Sequence, residues 1–202
     1  MAKKHNKKAP AQNNLKWKFS FVLVILLLAL SFLFDRQIVI FFEQLRIPFV
    51  DSIAVLLTSL GFAFLLFGLI ESFVITKSFI FKESMKKSIA VFLSFGITLG
   101  IINLIKYILM RPRPDFVSVL TTQLNPSMPS GHAACAFAIA SSLYFQNKKN
   151  WWIFILAGIY SLLRIYEGVH YLSDIIIGAI IGIAIGYFVN YSVNILMQPK
   201  RR

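Results

Sequence analysis

Three cations, two histidines and a carboxylate recur between Lys106 and Asp174 in surroundings otherwise made for hydrocarbon: Lys106, Arg113, the run Pro129-Ser130-Gly131-His132, Arg164, His170 and Asp174. A charge at membrane depth is costly and by default marks function. These side chains are of the kinds that bind phosphate oxygens and move phosphoryl groups. His170 and Asp174 are four residues apart, so on a helix they share a face and the carboxylate can accept a hydrogen bond from one imidazole nitrogen. That bond fixes the tautomer and frees the other nitrogen to act as a nucleophile on phosphorus. Taken alone, the same spacing also suits a structural hydrogen bond.

Arg164 precedes His170 by six residues, and its guanidinium matches phosphate oxygens two at a time. By itself it equally suits an interface anchor. Pro129-Ser130-Gly131-His132 reads as a loop entering a helix: Pro129 has no N–H, Ser130 is a good N-cap, and Gly131 permits close approach to the backbone. Free amides at a helix start form an anion site, and His132 in the first turn is placed to protonate a departing oxygen. A capped helix with an interfacial histidine is the plainer account of that run alone. Lys106 and Arg113 are about two turns apart, so both can point one way before Pro112 and Pro114 stop the helix. Joined by Arg164, they would neutralise phosphoryl oxygens without a metal ion. Arg111 and Asp115 are assigned to an exposed rim.

The elements that must hold these residues are membrane spans. Hydrophobic residues make up 57% of the chain and charged ones 14%, which excludes an ordinary soluble domain. Apolar runs of about 18 residues or more, enough to cross roughly 30 Å of hydrocarbon, recur along almost the whole sequence. The expected architecture is an all-α integral membrane six-helix bundle with spans near 17–34, 51–76, 86–110, 131–146, 151–167 and 172–197. Residues 17–197 form one domain between basic tails at 1–16 and 198–202. The first apolar run is longer than a signal-peptide core and has no clear small-residue cleavage site, so it reads as a retained helix. Residues 37–50, interrupted by Glu43, Arg46 and Pro48, suit a short helix in the outer interface or a plain loop. Gly178, Gly182 and Gly186 form a small-residue face for close helix packing.

Most of the 21 lysines and arginines fall in the N-terminal tail (Lys3, Lys4, Lys7, Lys8, Lys16 and Lys18), the 77–87 loop, Lys148-Lys149 and Lys200-Arg201-Arg202. By the positive-inside rule those segments are cytoplasmic, and the candidate site faces outward. The net charge of +13 therefore describes polar tails and loops, with the N-terminal tail a tether to anionic lipid, not a nucleic-acid groove. The single cysteine, Cys135, excludes an intrachain disulfide and a zinc cluster.

Lys-x6-Arg-Pro at Lys106 to Pro114, Pro-Ser-Gly-His at 129–132 and Arg-x5-His-x3-Asp at Arg164 to Asp174, in that order between spans, resemble the type 2 phosphatidic acid phosphatase (PAP2) superfamily. Less specifically, Leu45-Arg46-Ile47-Pro48 followed by Leu60-Gly61 is similar to the approach to the second span in bacterial members. The resemblance implies a metal-independent, cofactor-free lipid phosphatase with His170 as nucleophile, Asp174 orienting it and His132 as acid. Lys106, Arg113 and Arg164 would bind phosphate, with Ser130 and the Gly131 amide. One departure stands out: the family's third motif begins Ser-Arg, whereas here Leu163 precedes Arg164 and the nearest serine is Ser161. Among family chemistries the expectation is a polyprenyl (undecaprenyl) diphosphate phosphatase. The alternatives are a phosphatidylglycerophosphate or phosphatidate phosphatase, a lipid phosphotransferase, or a non-catalytic transporter or scaffold. The bilayer and a lipid phosphate are the expected partners, with neither nucleic acid nor an obligatory protein partner.

Overall fold

The computed structural model describes residues 10–81 and 85–197, with the backbone alone for residues 10–21. Lys3, Lys4, Lys7, Lys8, Lys82 and the C-terminal Lys200-Arg201-Arg202 lie outside the described residues, as do the side chains of Lys16 and Lys18. The described chain is all-helical: α1 (Pro10–Gln44), α2 (Pro48–Thr58), α3 (Leu60–Ile80), α4 (Lys86–Leu109), α5 (Gly131–Gln146), a 3-10 turn (Lys148–Trp152), α6 (Ile153–Tyr166) and α7 (Leu172–Leu196). Within α1 the stretch Val22–Gln44, and all of α3, α4 and α7, are long and apolar enough to cross a bilayer. At 16 and 14 residues, α5 and α6 are shorter.

Three expected boundaries change. Helix α1 begins at Pro10, a residue suited to a first helical turn, and so takes in part of the expected polar tail. It also continues to Gln44 through most of the stretch expected to lie flat, and the short helix appears further on as α2. Ile47, held extended ahead of Pro48, sets that break. The single span expected over 51–76 is interrupted at Ser59, whose extended backbone ends α2 and whose hydroxyl accepts the Phe62 N–H to start α3.

Helices α5 and α7 form the centre of the bundle. A Cβ added at Gly182 would lie 2.1 Å from the Ala134 carbonyl oxygen, and one at Gly178 2.6 Å from that of Ser130. The expected small-residue face is thus a backbone-to-backbone contact. Polar groups reinforce it: Asn190 Nδ2 donates to Ser142 Oγ at 2.8 Å, and Ser141 Oγ to the Ile183 carbonyl at 3.0 Å. Towards the site end, Val39 of α1, Ala133 of α5, Ile165 of α6 and Ile175 of α7 make one buried cluster. Arg46, in the α1–α2 break, ties that end together by donating to the Tyr166 carbonyl at 2.8 Å and the Ser118 carbonyl at 2.7 Å. Gly168 turns beneath it at φ +75, where a Cβ would stand 2.8 Å from Arg46 Nη2.

Gly182→Ala is expected to overpack this contact and cost about 1–3 kcal/mol or more. Gly96→Ala, at a position with nothing within 4 Å of a new Cβ, should leave stability unchanged or raise it slightly. Thermal unfolding of the two detergent-purified variants checks the contrast.

Candidate active site

Helix α4 ends at Leu109 because Met110 adopts the left-handed conformation, φ 48, and its N–H closes on the Lys106 carbonyl. Pro112 and Pro114 then keep the chain from resuming a helix. The linker folds back on itself: Ser127 donates from its N–H to the Arg111 carbonyl at 2.9 Å and from Oγ to the Pro112 carbonyl at 2.9 Å. Lys106 and Arg113 therefore do not share a helix face, as their spacing suggested. They meet because the chain reverses between them.

Each cation is held by oxygen atoms. Lys106 is 4% exposed, and its ammonium donates to the carbonyls of Pro126 and, at 3.4 Å, Ser127. Arg113 donates to the Asn125 carbonyl (2.8 Å), Asn125 Oδ1 (2.6 Å) and the Val169 carbonyl (2.6 Å). Arg164 is 1% exposed and donates through Nη1 to Glu167 at 2.6 Å, while its buried Nε has no partner. A buried N–H without an acceptor is costly, and an anionic oxygen would satisfy it. Glu167 is wholly buried and also accepts from Thr121 Oγ1 at 3.0 Å and from Thr58 Oγ1.

His170 lies two residues before the first residue of α7, so its pairing with Asp174 spans a helix start instead of one helical face. Nδ1 of His170 is 3.2 Å from Asp174 Oδ2, which also accepts the Tyr171 N–H at 3.0 Å as a cap of the helix. A carboxylate on Nδ1 puts the proton there and leaves the Nε2 lone pair free, with Arg113 Nη1 at 3.4 Å. Burial, then the charges of Arg113, Arg164 and Lys106, hold the His170 imidazole well below its ordinary range, so it is neutral. The second oxygen of Asp174 accepts Arg111 Nη1 at 2.7 Å. Arg111 therefore leaves the rim to which its sequence position assigned it, drawn in by this buried carboxylate and by Asp35 of α1; Asp115 is exposed.

Ser130 caps α5 as its sequence suggested: its Oγ accepts the Ala133 N–H, and its own N–H donates to the Asp174 carbonyl at 3.1 Å. This contact brings the starts of α5 and α7 together. His132 Nε2 is 2.9 Å from the Thr58 carbonyl, which fixes Nε2 as the protonated nitrogen, and its ring lies beside Tyr160. Ser161 does not replace the serine missing before Arg164, because its hydroxyl donates to the Ala157 carbonyl within α6.

Lys106, Arg113, Gly131, His132, Arg164 and His170 all line one cavity of about 680 Å³. Ser130 and Asp174 do not; they stand behind it. Most of the cavity's other lining residues are apolar, among them Phe64, Phe67 and Ile70 of α3, Leu99 of α4, Ile139 of α5 and Leu156 of α6, with Asn103, Gln123 and Asn125 the polar exceptions. Among the described residues no set of three His, Cys, Asp or Glu side chains is arranged to hold a metal ion. Sequence reasoning missed Glu167 and Asp35, although each carried a signal: Glu167 stands three residues from Arg164, and Asp35 is an acid within an apolar run. Thr58 and Tyr160 carried none, since only the tertiary fold brings them to His132.

An all-helical membrane bundle whose helix ends gather three cations and two histidines around one cavity belongs with phosphate-handling membrane proteins. The PAP2 superfamily profile matches residues 87–198, more than half of the chain, which therefore belongs to that superfamily. It is 36% identical over 107 residues to Undecaprenyl-diphosphatase of Sulfolobus acidocaldarius, the match covering 49% of this chain and 52% of that protein. It is 31% identical over 68 residues to Bacitracin transport permease protein BcrC of Bacillus licheniformis, covering 33% and 34% respectively. The matched stretches thus span about half or less of those relatives. In fold it is similar to a PAP2-type phosphatidylglycerolphosphate phosphatase from Bacillus subtilis, with TM-score 0.67, 22% identity, and 90% and 96% of the two chains covered. It is also similar to Aquifex aeolicus LpxE, with TM-score 0.62, 27% identity, and 77% and 93% covered.

Glu167→Ala would leave the buried Arg164 charge without its carboxylate. The expected cost is about 3–5 kcal/mol, read as a lower midpoint of thermal unfolding than that of wild type in the same detergent.

Proposed function

We propose that this chain is a membrane lipid phosphatase whose preferred substrate is a polyprenyl diphosphate of the undecaprenyl type. One observation carries the reading: a single cavity has three cations and two histidines towards one end and mostly hydrocarbon side chains along the rest. A lipid phosphate is divided in the same way. The choice of polyprenyl diphosphate is supported by the name of the 36%-identical relative.

In this reading His170 Nε2 attacks phosphorus, and the bond from phosphorus to the departing oxygen breaks. His132, as an imidazolium, gives that oxygen its Nε2 proton and is left a neutral imidazole protonated on Nδ1, while Asp174 holds the His170 proton on Nδ1 throughout. Water then attacks the phospho-histidine, passes a proton to His132 and releases phosphate, which restores both rings. Lys106, Arg113 and Arg164, helped by the Gly131 amide, neutralise the phosphoryl oxygens in the role a metal ion fills elsewhere. The free Nε of Arg164 supports that role. Ser130, behind the cavity, does not meet those oxygens as its sequence position suggested, and instead holds the helix start that presents that amide. Before substrate arrives, His132 Nε2 donates to the Thr58 carbonyl, so the departing oxygen competes for the same hydrogen.

The proposed topology has six crossings, α1, α3, α4, α5, α6 and α7, with α2 lying at the outer end of α3. Residues 17–197 make the membrane domain of a multi-pass protein in the cell membrane. The basic tails at 1–16 and 198–202 are cytoplasmic, and the site faces outward. The distribution of lysine and arginine supports this orientation.

The test is phosphate release by detergent-purified protein from undecaprenyl diphosphate, phosphatidylglycerophosphate and phosphatidate, with EDTA present. Release from undecaprenyl diphosphate is expected to persist in EDTA and to fall by at least about 10³-fold in His170→Ala. Strict dependence on a divalent cation, or a fully active His170→Ala, would sink the mechanism. Because His170 is held neutral below its ordinary pKa of 6.5, the acid limb of kcat/KM should lie well below pH 6.5. A limb at or above that pH would contradict the environment described for this ring.

A further inference from the structure

The reading above uses Asp174 but not the two charged groups behind it. Arg111 donates through Nη1 to Asp174 Oδ1 at 2.7 Å and through Nη2 to Asp35 Oδ2 at 2.8 Å. Asp35 lies on α1, is 4% exposed, and accepts the N–H of Ser173 at 3.0 Å and its hydroxyl at 2.5 Å. The Ser173 N–H is one of the donors that the first turn of α7 leaves without a partner inside the helix. Asp35 therefore caps α7 from a different helix, while Asp174 caps it from within. The guanidinium is also fixed in its plane, with its carbon 4.1 Å from the centre of the Tyr171 ring and 5.3 Å from that of Phe32. Neither Arg111 nor Asp35 lines the cavity.

We infer that Arg111 and Asp35 are positioning residues for phosphoryl transfer: they hold Asp174 in the one orientation that keeps His170 Nε2 aimed at the substrate. The inference rests on the phosphatase reading. Asp174 has two oxygens and three donors, and Arg111 takes Oδ1 for itself. Oδ2 is thereby left to His170 Nδ1 and the Tyr171 N–H. Without the guanidinium, Oδ1 becomes a buried acceptor with no donor. The carboxylate is then free to turn towards other donors, and the His170 ring turns with it. The device requires an arginine, because a lysine ammonium is a single point charge, whereas the two Nη atoms reach carboxylates on separate helices. It also requires the acid on α1, which holds the far side of the fork.

Behaviour as one unit is what the test reads. Arg111→Gln is expected to lower kcat by about 10–100-fold, the usual effect of losing a group that orients a reactive side chain, with KM within about twofold of wild type. Asp35→Asn should lower kcat in the same sense with KM likewise unchanged. The double variant should be no slower than Arg111→Gln by more than about twofold, because residues in one network do not add. Arg111→Lys should recover part of the lost kcat. The inference is overturned if kcat is unchanged, if KM rises in place of a fall in kcat, or if the double variant loses the product of the two single effects. Should Arg111→Gln fail to fold, Asp35→Asn and Arg111→Lys carry the same comparison of kcat with KM. Wild-type protein that releases phosphate from no lipid defeats the phosphatase reading, and this inference with it. An active wild type with unaltered variants defeats this inference alone.

Discussion

At Gly178, Gly182 and Gly186 the backbone of α7 rests on the backbone and the small Ala133 and Ser141 side chains of α5, and the functional end of the molecule depends on that contact. It brings the start of α5 to the start of α7 closely enough for the Ser130 N–H to reach the Asp174 carbonyl. His132 and the dyad of His170 and Asp174 are thereby set side by side although some forty residues separate them. Interfaces between membrane helices gain little from excluding water, so close backbone approach and a few polar bonds must supply the specificity. The hydrogen bonds of Asn190 and Ser141 to the facing helix fill the second role.

Burying several charges in such a scaffold is costly unless each is compensated. The molecule does so in two ways. Arg164 and Arg111 meet carboxylates, whereas among the described residues Lys106 and Arg113 are held by carbonyl and amide oxygens, with the His170 ring also 3.4 Å from Arg113. The first pattern fixes a side chain in place. The second leaves positive charge on the cavity wall that nothing nearby neutralises in full, so an anionic ligand is what the wall accommodates best. That division follows chain topology: the carbonyls come from the folded-back linker at 125–127 and from Val169, and the acids come from α1, α7 and the residue that ends α6.

The membrane helices were legible because hydropathy fixes them nearly independently of context. The expected ranges for α4, α5 and α7 differ from the observed ones by at most a residue. The breaks were harder to read. Ser59 interrupts an apolar run through the local geometry of one hydroxyl, and α1 continues past Glu43 because nothing in its sequence stops the helix before the chain meets Pro48. The cavity-lining residues Lys106, Arg113, His132, Arg164 and His170 were identified by type and order, while the geometry bringing two of them in was not. Lys106 and Arg113 converge through a left-handed turn at Met110, a residue type that gives no hint of it. Arg111 looked peripheral because its two partners lie on helices distant in sequence.

The cavity's long axis has a further consequence. From His132 to Ile139 on α5, and from Arg164 to Ile153 on α6, the apolar arm extends roughly 10 to 16 Å from the cations. Gln123 and Asn125 border the opposite, hydrophilic end. Cleavage at the junction would divide an amphiphile into two products of opposite solubility, each already lying in the phase it prefers. In the proposed reaction, product separation would then be a matter of partition between two solvents, with no large rearrangement of the helices required to expel what has been made.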